Sequence, residues 1–101
     1  MGSDSFTVVV VAKSAEEAFK EAIKDARKNH GRNGCTGTIA EKESFIEIPL
    51  PKRGKKDLQA RALLEADRLI LNDERIEDEE GPAGCIQYKK NEYLFFGWAQ
   101  S

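Results

Sequence analysis

The sequence predicts an α+β domain, two-layered, with a mixed or antiparallel sheet and two helices. Three observations lead there. Short β-branched or aromatic runs lie near both ends of the chain, two segments carry apolar residues at the helical period, and glycine or proline punctuates the connections. At 101 residues, with 40% hydrophobic and 34% charged side chains, the chain can bury a core and still be well solvated.

Residues 6–12 (FTVVVVA) are β-branched and short, and read as a strand. Ser14 then opens a helix, and Glu17 three residues later completes a capping box. Ala15, Ala18, Phe19, Ala22, Ile23 and Ala26 form one narrow stripe whose small side chains allow close approach to a sheet. Lys24, Arg27 and Lys28 suit the carbonyl end of that helix, and Gly31 is its expected left-handed stop. Residues 36–40 and 45–48 read as two short strands around the polar turn 41–44, after which Pro49 and Pro51 end regular pairing.

A second helix is expected from Lys55 or Lys56 to Leu71. Leu58, Ala62, Leu63, Ala66, Leu69 and Ile70 share one broad face, with Ala60, Leu64 and Leu71 almost opposite. Residues 73–80 (DERIEDEE) read as an acidic loop and 81–84 (GPAG) as a turn. Residues 85–89 and 93–98 complete a terminal hairpin across 90–92. The expected order is β-α-β-β-α-β-β, one domain over residues 6–101, with 1–5 a disordered N-terminus or cloning remnant.

A net charge of −2 counts against non-specific nucleic-acid binding, which needs an excess of cations to neutralise phosphates. Two cysteines make no secreted disulfide framework, and no cationic-then-apolar leader precedes the first strand. No apolar run approaches the ~20 residues of a bilayer crossing. The expectation is a cytoplasmic protein that does not engage a membrane.

The segments GCTGTIAEK (34–42), GPAG (81–84) and YLFFGWA (93–99) resemble a group of small phage and prophage proteins of unassigned activity. The resemblance covers most of the domain. It implies a viral accessory role inside a bacterial host cell, where inhibitors of host defence are frequent, and it implies no catalytic residues. A tyrosine commonly stands in that group where this chain has Cys35, which argues against an essential thiol there.

The loop NHGRNGCTGT (29–38) frees its backbone at Gly31, Gly34 and Gly37. Arg32, Asn33 and the hydroxyls of Thr36 and Thr38 make it a candidate anion cradle. The opposing reading is a plain helix-to-strand connection. Phosphate loops run into a helix N-terminus, whereas this one leaves a helix C-terminus, and it matches neither common nucleotide-binding fingerprint.

His30 and Cys35 invite a thiol nucleophile, but no third group orients the imidazole, so no catalytic residue is expected. One histidine and two distant cysteines make a poor metal site, and no cofactor is implied.

Lys52, Arg53, Lys55 and Lys56 cluster before the second helix, and the acidic run follows it. Both placements oppose the helix dipole; they are either solvated charge or a means of orienting a partner. Finally, the first and last strands are apolar on both sides, and Leu64 and Leu71 lie on the back of a helix. Either these strands are central in the sheet, or a homodimer or partner interface covers them, with Leu64, Leu71, Phe96 and Trp98 as anchors.

The expected function is a non-enzymatic phage accessory protein that binds and inhibits a host protein. The alternative is a binder of a small phosphorylated ligand, such as a nucleotide, held between residues 29–38 and 52–56.

Overall fold

The computed structural model describes residues 3–30, 38–51 and 57–100. Its order is β1 (Ser3–Val11), α1 (Ala15–His30), a 3-10 turn (Ile39–Glu41), β2 (Phe45–Glu47), α2 (Leu58–Asn72), α3 (Glu74–Glu77), β3 (Ala83–Lys89) and β4 (Glu92–Gln100). The fold is α+β, with a mixed four-stranded sheet in the order β1-β4-β3-β2. β4 runs antiparallel to both β1 and β3, while β2 lies parallel to β3.

The helix starts follow from their caps. The Ser14 hydroxyl accepts the Glu17 backbone N–H at 3.2 Å, and its carbonyl takes the Ala18 N–H at 2.9 Å. Asp57 does the same for α2, its Oδ1 accepting from the N–H groups of Gln59 and Ala60. Asp73, in turn, caps α3 through Arg75 N.

Alternation along β3 and β4 assigns each side chain to a face, and the two helices divide between the faces. Beneath α1 lie Phe19, Ala18 and Ala22 with Ala83, Cys85, Tyr93 and Phe95. Phe19, Phe45 and Phe95 meet there with ring centroids 5.0–5.7 Å apart, joining helix, edge strand and central strand. On the other face Ala62, Ala66, Leu69 and Ile70 of α2 cover Ile86, Tyr88, Leu94 and Phe96.

Several expectations are corrected. The arrangement is helix, sheet, helix, not two layers, because both faces of β3 and β4 are apolar and each needs a cover. Residues 38–41 are not strand: Thr38 Oγ1 accepts the Ala40 N–H at 3.2 Å and closes the 3-10 turn that seats Ile39 in the core. Ser3 to Ser5 belong to β1, paired with residues 98–100, so the sheet begins before residue 6.

Gly84 lies within β3, not in a turn. A Cβ there would meet the Phe96 ring at 2.3 Å, so the glycine is the space the ring occupies. At the β3–β4 turn Asn91 takes φ 63°, a left-handed position that asparagine tolerates.

Candidate functional site

Most of the charged residues expected to bind a ligand or partner lie outside the described residues: Arg32, Asn33 and Thr36 of the glycine loop, and Lys52, Arg53, Lys55 and Lys56 before α2. Cys35, the Gly31 stop and the side chain of His30 do too. Thr38 is described, and its hydroxyl oxygen is engaged in the cap of the 3-10 turn.

Cys85 is 2% exposed beneath α1. Burial, with a smaller contribution from the Glu47 carboxylate, pushes its thiol up to about 12, which suppresses the thiolate a nucleophile or metal ligand requires. Among the described residues no group of three or more His, Cys, Asp or Glu side chains could hold a metal ion. No helix among them is long and apolar enough to cross a membrane.

One of the four expected apolar anchors, Phe96, is corrected. Phe96 is fully buried between Gly84 and α2, because β4 is an interior strand with a cover on each face. Trp98 is half-buried against the same cluster, and its indole N–H donates to the Ile70 carbonyl at 2.9 Å, tying β4 to the end of α2.

The other two stand in solvent, Leu64 at 53% and Leu71 at 70% exposure. Their spacing, with Arg68 between, is i, i+4, i+7, which places all three on one outward stripe of α2. Arg68 is held in place by Glu65, with Nε donating to Oε1 at 2.7 Å and the second nitrogen to Oε2 at 3.0 Å. That paired, bidentate contact raises the pKa of the guanidinium.

Beside the stripe an open groove of about 420 Å³ runs between α2 and the extended segment after β2. Ile48, Leu50 and Leu69 supply its apolar lining, and Glu65, Arg68, Asn72 and Arg75 its polar rim. The segment is extended because Pro49 and Pro51 exclude helix and ladder alike, after Ile48 has donated its N–H to the Cys85 carbonyl at 2.8 Å.

The acidic run beyond α2 is an ordered structure, a feature that sequence reasoning missed. Asp73 binds Arg75 through both carboxylate oxygens, at 3.1 and 2.7 Å, and the guanidinium lowers the pKa of that carboxyl. Lys42 is 4% exposed, and its ammonium donates to the carbonyls of Asp78, Glu79 and Gly81 at 3.3, 3.1 and 2.9 Å. Desolvation lowers the Lys42 pKa, and the carboxylates of Asp78 and Glu79 partly offset that shift. Glu79 also accepts from Ser3 Oγ and from Gln100 Nε2, so the run is fastened to the end of the β1–β4 pair where the first and last strands meet. Lys42 carries no sequence signal for this role, since its acceptors are backbone carbonyls almost forty residues away in the chain.

Comparison with protein-family models, curated proteins and solved structures returned no match.

Proposed function

We propose that this chain is a non-enzymatic protein-binding domain, a phage or prophage accessory factor that acts by covering part of a host protein. The contact face is the outer stripe of α2, with Leu64 and Leu71 as anchors, Arg68 between them and the adjacent groove receiving a partner side chain. The observation that carries this reading is the pair of leucines, 53% and 70% exposed, two helical turns apart on one stripe beside an apolar-lined groove. Large side chains in such a patch supply binding energy, and surrounding charge supplies orientation. The ordered acidic run beyond Leu71 favours a partner with a basic rim.

The test is affinity capture from a bacterial host lysate with the native chain and with a Leu64→Glu/Leu71→Glu variant. Both leucines point to solvent, so the double variant should unfold within about 1 kcal/mol of the native chain. A partner held by the native chain and lost by the variant supports the reading. Equal recovery by the two proteins refutes it. If instead a nucleotide panel raises the melting temperature by mass action, the chain is a small-ligand binder.

A further inference from the structure

We infer that the free edge of β1 is a self-association surface, on which a second copy of this chain adds its own β1 antiparallel and forms a continuous eight-stranded sheet across a two-fold axis. The two outer edges of the sheet differ in kind. β2 has only three residues and runs into Pro49 and Pro51, which blunts it as a template for pairing. β1 has nine residues, SDSFTVVVV, with no proline or lysine among them, and among the described residues it pairs with β4 on one side only.

Which backbone groups face outward follows from one bond. Ala12 N donates to Asn91 O at 3.0 Å, and Ala12 stands opposite Asn91 in the β1–β4 register, so the even-numbered residues of the strand exchange bonds with β4. The N–H and C=O groups of Thr7, Val9 and Val11 therefore point away from the sheet, and no described residue bonds them. A sheet edge of this kind is completed by an added strand.

The occupant is a second copy because the edge is complementary to itself. With Val9 facing Val9 at the two-fold, Thr7 pairs with Val11 and Val8 with Val10 of the other copy, so β-branched residues meet β-branched ones and Asp4 is carried beyond them. Val9 and Val11, 39% and 72% exposed, gain cross-strand neighbours, and the half-buried Phe6, Val8 and Val10 are closed off at the open margin of the α1 cluster.

The groove between β1 and α1 carries both signs of charge. It is lined by Lys13, Glu17, Lys20, Glu21 and Asp25 beside the valines. The axis stands perpendicular to the sheet, so both α2 stripes face the same way. The dimer is bivalent toward the partner proposed above, although the inference about β1 does not depend on that face.

The experiment is light scattering and native mass spectrometry of the full chain across a concentration series, with amide hydrogen exchange at Thr7, Val9 and Val11. The native chain should weigh twice its sequence mass, with those amides protected. Val9→Pro removes an outward N–H that β4 does not use, and Val9→Lys sets two ammonium groups face to face at the axis. Each should keep the native circular dichroism and weaken self-association by about thirtyfold or more. Leu64→Glu/Leu71→Glu should leave the dimer intact, which separates this inference from the proposed function. A native chain of single mass at every concentration with fast exchange at those amides overturns it and leaves the edge to an extended segment of another protein. So does a dimer that both Val9 variants leave undiminished.

Discussion

Gly84→Ala is the most demanding test of the packing described above. An alanine Cβ would sit 2.3 Å from Cζ of Phe96 and 2.6 and 2.8 Å from its two Cε atoms. Ordinary contact begins near 3.4 Å, so ring and strand must separate by 3.4 − 2.3 = 1.1 Å. The ring has no room for that displacement. It is fully buried in the cluster formed by Ala62, Ala66, Ile70, Ile86 and Leu94, and tilting it moves α2 off the sheet.

Overpacking of this size lies at the upper end of the usual range, so the cost should be about 3 kcal/mol. For a domain of this length that is a fall of roughly 12–24 °C in Tm. The assay is urea unfolding followed by circular dichroism, repeated in a Phe96→Leu background. Leucine lacks the ring atoms that clash, so there the alanine should cost less than about 1 kcal/mol, a coupling of about 2 kcal/mol between the two sites. An alanine that costs under about 0.5 kcal/mol in the native background, or equally in both, would refute the placement of the ring over Gly84.

Three further perturbations probe other links. Trp98→Phe removes the indole bond to the Ile70 carbonyl and should cost about 1 kcal/mol, read as a Tm lower by roughly 4–8 °C; an unchanged Tm would mean the bond holds nothing. Lys42→Met keeps most of the stem but strips three carbonyls of their donor. It should cost about 1–3 kcal/mol and speed amide exchange at Glu80 and Gly81, and unchanged exchange there would contradict the role given to Lys42.

Cys85 makes a pH prediction. Its thiol ionises near 9.0 when unfolded and at about 12 when folded, so the folded state holds the proton more tightly in between. This contribution to stability is complete below pH 9 and is lost as pH rises towards 12. Cys85→Ala should therefore lose less stability over that window than the native chain, and parallel curves for the two proteins would show the thiol to be accessible to solvent.

Much of the secondary structure was legible from local chemistry. Ser14 and Glu17 mark the start of α1, the alanine stripe marks its buried side, and the spacing of Leu58 to Ile70 separates the buried face of α2 from Leu64 and Leu71. These signals lie within a few residues of the groups they govern. Residues 38–40 misled for the same reason, because β-branched composition around Thr38 hides a hydroxyl that caps a tight turn. For the expected ligand site, only Thr38 falls among the described residues.

Strand order and facing depend on contacts far apart in sequence, and the chain's composition is silent about them. The runs at the two ends look alike, both apolar on alternate sides. Yet β4 became an interior strand with Phe95 and Phe96 buried on opposite faces, while β1 became an edge with Val9 and Val11 in solvent. Periodicity records that a residue is apolar and which way it alternates. Only the neighbours a strand acquires, and the helix laid over each face, settle whether that apolar surface becomes core or remains available to a partner.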